Sequence, residues 1–516
     1  MKNVGKTIKG CNVGALTEAL CYQHHSVASI NARHDPNTFS FRRLDRNEVP
    51  AALKEINPHK ATGYDMLPPR VLKMTAELLA TPLTTIFNQA IEENRWTSAW
   101  KRGEWVPIYK KEDPLDKVHY RPVTVLTAVD KIFEQLICKQ LSEKFEPIFD
   151  TFLSAYRKHF SCETTLIRLT EDWKHAADKG HASVILSTDM SKAFDSLHPN
   201  LLLTKLKGYG LSDPALGLMR SYFDDRENRT RVGNYTSDWK AVKRGCPQGS
   251  SLGPLLWNVY QNDLFYTGVK SQLSAYADDH QIYCSNLNLH SAIDRIKEDG
   301  EETSRWYKTN FLQGNYSKYQ AMAIARDTQQ MELVIDDCSI NFTDAFKLLG
   351  IIIDKDLNFS QHISEVCIKT SKMIGVLQRL KHLIPLNAKL RIYKTAVLPH
   401  LTYCSLVWHF CRASDRNKLE RINERGLRTV FKDRVSPYGD LLTYAGMTSL
   451  YNMRLQDIAI FMFKIRNRLL PYNILELFSS SSSNYNLRNS DFHVQRVKTV
   501  KSELRHLLLV FRKQLA

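Results

Sequence analysis

The stretch LSAYADDHQIYCS, residues 273–285, decides how this chain is read. It has the pattern of two short strands joined at an acidic pair, Asp278 and Asp279. Aspartate is an ordinary turn residue, so the pair alone carries little. Two adjacent carboxylates at a tight turn do repel each other, however, and a divalent cation would relieve that repulsion. A second stretch, SVILSTD (183–189), is a β-branched apolar run of the kind found in buried strands, and it closes on Asp189. A carboxylate at the end of an otherwise apolar strand is costly unless it binds something. Mg²⁺ takes one or two carboxylates together with phosphate oxygens and water. Two such ions suit in-line phosphoryl transfer, one at the attacking hydroxyl and one at the leaving group.

Outward from these aspartates, strands and helices mix in the middle of the chain and helices dominate its end. VLKMTAELLATPLTTIFNQAIEEN (71–94) carries apolar residues at helical spacing, with Pro68 and Pro69 at its entry. WVPIYKKEDPLDKVHYRPVTVL (105–126) reads as short strands around a basic loop, and PNLLLTKL (199–206) as a helix closed by Gly208 and Gly210. FKLLGIIIDKDLNF (346–359) reads as a second hairpin. Residues 1–38 are polar and poor in motifs, a helix and a loop at most, and the serine run 479–483 reads as a linker. The fold class expected is α+β with a helical C-terminal part.

Length and composition agree with this. The chain has 516 residues, 43% hydrophobic and 24% charged, which suits several globular units and argues against disorder. No apolar run approaches the length of a membrane span, and the N-terminus lacks the apolar core of a secretory leader. The ten cysteines are scattered with no CxxC pair, the pattern of a reducing compartment. An intracellular protein, in nucleus or cytoplasm and not secreted, is therefore expected. Zinc is not: His400, Cys404, His409 and Cys411 fit no standard knuckle, and LPHLTYCSLVWHF reads as a packed helix.

Charge is unevenly placed. The net charge is +17, and residues 361–516 hold 26 Lys and Arg against 10 Asp and Glu, so nearly all the excess lies in the last third. That asymmetry favours a polyanionic partner. Lys418, Arg421, Arg425, Arg428 and Lys432 recur at spacings of three and four, which puts them in one stripe on a helix, while Leu419, Ile422 and Val430 can face inward. A helix tracking a phosphate backbone would look like this, as would a solvated helix face.

Five blocks in order resemble those of the reverse transcriptases of non-LTR (LINE-type, jockey-like) retrotransposons: NPHKATGYDMLPPRVLK (57–73), WVPIYKKEDPLDKVHYRPV (105–123), TDMSKAFDSLHP around Asp189, RGCPQGSSLGPLLWNVYQNDL (244–264) and YADD (276–279). The resemblance runs from about Phe39 to about Asn489. It implies a right-hand polymerase with fingers, a palm with an antiparallel sheet, and a helical thumb. The segments would be an N-terminal extension (1–38), fingers with the start of the palm (39–182), palm with the catalytic motifs (183–360), helical basic thumb (361–478), and serine linker with basic tail (479–516). It also implies DNA synthesis on an RNA template, extending a DNA 3′-hydroxyl with dNTPs and two Mg²⁺ ions, Mn²⁺ being able to substitute.

Residue by residue, Asp189, Asp278 and Asp279 match the metal-binding carboxylates. Phe194 matches the ring that excludes the ribose 2′-hydroxyl, with Asp195 expected to hold its turn by hydrogen bonding. Lys110, Lys111 and Arg121 match the cations at the triphosphate, and Gln248 and Gly249 the loop beside nucleotide and template. Gly245, Gly249 and Gly253 would let the backbone approach a ligand. Lys318 matches a lysine that could protonate the leaving pyrophosphate, and Leu348–Ile353 the hairpin that holds the primer end.

The chain also departs from the family. It leaves no room for an endonuclease before the polymerase, and it has no cysteine–histidine knuckle. Cys246 stands where valine is common, and the ending VKSELRHLLLVFRKQLA lacks the usual tryptophan. A polymerase-bearing fragment or divergent copy is expected. The rival readings are a decayed element fragment that only binds nucleic acid, and an RNA-splicing helper built on a polymerase scaffold.

Overall fold

The computed structural model describes residues 24–110, 113–190, 193–324 and 331–478. Lys111, most of the N-terminal extension, and the serine linker with its basic tail lie outside them.

Among the described residues there are thirteen strands: β1 (Arg102–Tyr109), β2 (Tyr120–Val125), β3 (Ala182–Thr188), β4 (Glu227–Val232), β5 (Tyr235–Thr236), β6 (Lys240–Ala241), β7 (Gln272–Tyr276), β8 (Asp279–Asn286), β9 (Gln320–Ile324), β10 (Glu332–Ile335), β11 (Cys338–Asn341), β12 (Ala345–Leu348) and β13 (Ile351–Asp354). A four-stranded antiparallel sheet runs in the order β7-β8-β3-β9. A five-stranded sheet runs β2-β1-β4-β5, with β6 on β4, and its β1–β4 pairing is parallel. The pairs β10–β11 and β12–β13 stand as separate hairpins. This is the mixed helix-and-sheet architecture the sequence predicts. β4 joins β1 across the expected segment boundary at residue 182, so the two sheets do not correspond to consecutive stretches of chain.

The four-stranded sheet is buried on both faces, which is why β3 reads as a continuous apolar run rather than an alternating one. Side chains still alternate with period two. Val184, Leu186, Ile282, Ala321 and Ala323 enter one core with the N-terminal helices. Ile185, Tyr283, Met322 and Ile324 enter another with the C-terminal helices. The helix Leu289–Thr309 covers the first face through Ala292, Ile296, Trp306 and Tyr307. The helix Cys162–Asp178 covers the second through Leu166, Ile167, Leu169 and Trp173. A third core, with Ile374, Leu377, Tyr393, Leu427 and Val430, joins the helices beyond residue 360.

Local expectations fare unevenly. The run 71–94 forms two helices, Pro69–Met74 and Ala76–Glu92, broken at Thr75. Pro69 opens the first of them. The predicted helix around His400 stops at Thr402, and Cys404 takes a left-handed φ of 47° that no helix interior accommodates. The helix His25–Asn31 is built into the first core through Val27 and Ile30. It packs so closely that a side chain at Gly208 would meet Asn31 at 2.8 Å.

A buried ion pair locks this core beneath the sheet. Lys205 Nζ donates to Asp263 Oδ1 at 2.6 Å and to the Tyr260 carbonyl at 2.7 Å, and Trp306 Nε1 donates to Asp263 Oδ2. Both charged side chains are fully buried. Lys205→Met would strand the Asp263 carboxylate, and the expected loss is about 3–5 kcal/mol of unfolding free energy, read from a denaturant midpoint. The double variant Lys205→Met/Asp263→Leu should recover most of that loss.

Candidate functional site

The site is assembled where β3 and the β7–β8 hairpin end together. Tyr276 pairs with Asp279, so the turn between the strands consists of Ala277 and Asp278 alone. Ala277 takes φ 57°, the positive φ that tight two-residue hairpin turns demand. Asp278 is therefore the turn residue, whereas Asp279 is the first residue of β8. Thr188 of β3 pairs with His280 of β8, and Asp189 lies one residue further, beside the turn. The Asp189 backbone is held by Asn315, whose N–H donates to its carbonyl at 2.8 Å.

The electrostatics of this point are those of crowded like charges. Burial raises the Asp278 pKa, and Asp189 raises it further, against the pull of Arg121 and Lys110. Asp279 is pushed up to about 6, first by burial and then by Asp278 and Asp189, with Lys318 opposing. Lys318 sits directly on the cluster: its Nζ lies 3.0 Å from Asp189 Oδ2. Among the described residues, no three His, Cys, Asp or Glu side chains converge as a ready-made metal cage. The three carboxylates nonetheless fit a Mg²⁺ site. They are short of positive charge, and Mg²⁺ characteristically completes its shell with water and phosphate oxygens.

Beneath the aspartates runs a buried polar chain that the sequence reading did not pick out. His280 Nε2 lies 2.9 Å from Gln261 Oε1 and His280 Nδ1 lies 2.7 Å from the Tyr307 hydroxyl, which is 2.9 Å from Thr188 Oγ1. His280 is fully buried and its pKa falls to about 3 by desolvation, so the ring is neutral. Thr188 precedes Asp189 and His280 follows Asp279, so this chain of hydrogen bonds sets the spacing between the two strands that carry the carboxylates. The sequence signal was a histidine directly after the acidic pair, two residues before the apolar Ile282.

The glycine-rich loop is fixed by the protein itself. Gln248 Nε2 donates to Asp195 Oδ1 at 2.8 Å, and the Gln248 carbonyl accepts from the Thr124 N–H at 2.7 Å. Gly249 has φ 128°, and a Cβ there would stand 2.5 Å from the Thr124 carbonyl oxygen. A Cβ on Gly245, at φ 84°, would stand 2.9 Å from the backbone of Phe194 and Asp195. The close approach of both glycines is thus to the chain's own backbone, while Gly253 has only ordinary contacts as the first residue of the helix Gly253–Gln261. The loop ties β2, which bears Arg121, to the turn that bears Phe194. Phe194 is half-buried and lies against Trp257, their ring centroids 5.5 Å apart, and Trp257 Nε1 donates to the Ala277 carbonyl at 3.0 Å.

Leu348–Ile353 form a hairpin as expected, with Leu349 and Gly350 both at positive φ in its two-residue turn. The basic stripe lies on the helix Ala413–Phe431, with Leu419 and Val430 buried and Ile422 half-buried. Lys418 and Arg428 are engaged by acids of the same helix, Asp415 at 2.8 Å and Glu424 at 2.6 Å. Arg421 and Arg425 are exposed, and Lys432 caps the helix in the left-handed region.

Comparison with known proteins follows this geometry. Residues 108–353 match the family model described as reverse transcriptase (RNA-dependent DNA polymerase). The chain is 27% identical over 400 residues to the RNA-directed DNA polymerase from mobile element jockey of Drosophila melanogaster, covering 74% of this chain and 43% of that protein. It is 26% identical over 402 residues to the jockey polymerase of Drosophila funebris, with 74% and 43% covered. It is 25% identical over 382 residues to the Pol polyprotein from type-1 retrotransposable element R1 of Bradysia coprophila, with 71% and 37% covered. The chain thus spans less than half the length of these relatives.

The polar chain under the aspartates has a measurable weight. Tyr307→Phe removes the hydroxyl between His280 and Thr188 and leaves buried polar atoms unpartnered. The expected cost is about 1–3 kcal/mol of unfolding free energy, seen as a lower midpoint in urea.

Proposed function

Because residues 108–353 are a reverse transcriptase domain similar to that of the jockey-like non-LTR retrotransposons, we propose that this chain is an RNA-directed DNA polymerase that extends a DNA 3′-hydroxyl along an RNA template. One observation carries the reading: within that domain, β3 and the two-residue β7–β8 turn bring Asp189, Asp278 and Asp279 to a single electronegative point. The reaction joins the primer 3′ oxygen to the α-phosphorus of a dNTP and breaks the α–β anhydride bond, releasing pyrophosphate. Asp189, Asp278 and Asp279 would hold two Mg²⁺ ions, or Mn²⁺, which when bound supply positive charge at the attacking and leaving oxygens. Arg121 and Lys110, whose charges already reach Asp278, face the place of the triphosphate and offset its charge. Lys318, paired with Asp189, is placed to give a proton to the departing pyrophosphate. Gln248 and Gly249 line the nucleotide and template side, and Phe194 meets the sugar.

In this reading the five-stranded sheet belongs to the fingers, the four-stranded sheet is the palm, and the helices beyond residue 360 form the thumb, with Leu348–Ile353 at the primer end. The helix Ala413–Phe431 lies along the template–primer duplex, to which Arg421 and Arg425 contribute more than Lys418 and Arg428. The partners are an RNA template, a DNA primer or target DNA, and dNTPs, all met inside the cell. Among the described residues no helix is long and apolar enough to cross a membrane.

Asp278→Asn in the purified chain should lower primer extension on RNA by about 10²–10³-fold with circular dichroism unchanged, since charge stabilisation at the reacting oxygens is lost. Extension at the wild-type rate would remove the site assignment. Retained RNA binding with no extension by wild type above the Asp278→Asn control would favour a decayed, binding-only fragment. Neutralising Arg421 and Arg425 should weaken duplex binding across sequences and flatten the log–log salt dependence by about two units, roughly one per lost phosphate contact. An unchanged slope would make the stripe a solvated face.

A further inference from the structure

Phe194 has a second aromatic neighbour. Tyr156 meets it edge-on, with ring centroids 6.1 Å apart and planes at 81°. Phe194 therefore contacts two rings, Trp257, which is tied to the Ala277 carbonyl, and Tyr156. Tyr156 is 55% exposed, unusual for a large aromatic that packs on a half-buried one. It also holds a left-handed φ of 60°, a conformation rare for a tyrosine and tolerated where the surroundings impose it.

The surroundings do impose it. Residues 152–154 run beside β7: Leu153 bridges Ala275, the Ser154 N–H donates to the Ala275 carbonyl at 2.9 Å, and the Ala275 N–H donates to the Phe152 carbonyl at 3.0 Å. Asn258 Nδ2 donates to the Ala155 carbonyl at 2.7 Å. On the other side Arg157 Nη1 donates to the carbonyls of Asp150 and Leu153 at 2.5 and 2.7 Å, and its guanidinium lies over Phe149 and Phe160. Ala155 is thus held by the helix Gly253–Gln261, Arg157 by the segment 150–153 that runs beside β7, and the Tyr156 ring between them is left exposed. The charges of Asp278 and Arg121 both reach its hydroxyl.

We propose that Tyr156 is a positioning residue for sugar selection: its ring braces the Phe194 ring against Trp257, so that Phe194 cannot swing aside for a ribose 2′-hydroxyl. This rests on the reading of Phe194 as the residue that meets the sugar. A single aromatic ring rotates about its first side-chain bond, and it excludes one oxygen atom only while its orientation is fixed. Trp257 limits the ring on one face. Tyr156 limits it through a second, edge-on contact.

The test is primer extension on an RNA template by the full chain, with kcat/KM measured for matched dNTPs and rNTPs. The variants are Tyr156→Ala, Tyr156→Phe, Phe194→Ala and the double Tyr156→Ala/Phe194→Ala. Tyr156→Ala should raise the rNTP-to-dNTP ratio by about tenfold, through a rise for rNTPs and not a common fall. Tyr156→Phe, which keeps the ring, should stay within about twofold of wild type, and the double variant should match Phe194→Ala because the two act as one unit. If Phe194→Ala changes the ratio and Tyr156→Ala does not, or lowers both substrates alike, the brace is overturned and the Phe194 reading stands. If Tyr156→Phe relaxes selection as much as Tyr156→Ala, the hydroxyl and not the ring is at work and the proposal fails. If Phe194→Ala leaves the ratio unchanged, the Phe194 reading falls and the brace with it.

Discussion

Like charge held against its own repulsion is the constraint on which this structure turns. β3 delivers Asp189 and β8 delivers Asp279, with Asp278 on the two-residue turn between β7 and β8. Burial makes Asp278 and Asp279 harder to ionise, and the charge of Asp189 beside them adds to the effect. Left to itself such a cluster would splay apart. The antiparallel ladder and the chain Gln261–His280–Tyr307–Thr188 prevent that, because the strands bearing the aspartates cannot separate without breaking buried hydrogen bonds. The three carboxylates are held together by rigidity elsewhere.

The same logic extends outward. A sheet with both faces covered cannot tilt, and here one face is covered by the helix Leu289–Thr309, in the core shared with the N-terminal helices, and the other by the helix Cys162–Asp178, in the core shared with the C-terminal ones. The glycine-rich loop then joins this fixed sheet to the second one: Gly249 lets it lie on Thr124 of β2, Gly245 lets it lie on the Phe194 turn, and Gln248 clasps Asp195. Arg121 on β2 lies near enough to the acidic turn for its charge to oppose the rise in the Asp278 pKa. The cations, the carboxylates and the aromatic ring thus belong to one mechanical unit. For the polymerase chemistry proposed here, where the protein would contribute mainly positioning and charge, that unity is what the reaction would use.

The C-terminal charge behaves differently. A stripe of five cations looks uniform by spacing, yet Lys418 and Arg428 spend their charge on Asp415 and Glu424 one helical turn away. Pairs within one helix are worth little to stability, but each lowers the field available to a phosphate. Arg421 and Arg425 carry the outward field of this helix. The number of cations therefore overstates the number of backbone contacts such a surface can make.

The sequence by itself determined whatever depends on short range. A continuous apolar run placed β3, short strands around turn residues placed both hairpins, 3.6-residue spacing placed the helices of 71–94, 199–206 and the C-terminal part, and the terminal aspartates of β3 and the YADD turn pointed to cation chemistry before any fold was known. What it misjudged locally, the break at Thr75 and the early end of the helix at Thr402, are places where a turn overrides an apolar pattern. Tertiary structure alone decided the rest. The parallel pairing of β1 with β4 joins residues 125 apart, as Arg102 with Glu227. Neither strand's pattern names its partner, because pairing is chosen by what each edge can bury once the helices are in place. The use of Gly245 and Gly249, the pairing of Lys318 with Asp189, the hydrogen bonds that surround His280 and the two rings that hold Phe194 are likewise contacts between distant stretches. Periodicity reports which face of an element is buried; only the folded chain says against what.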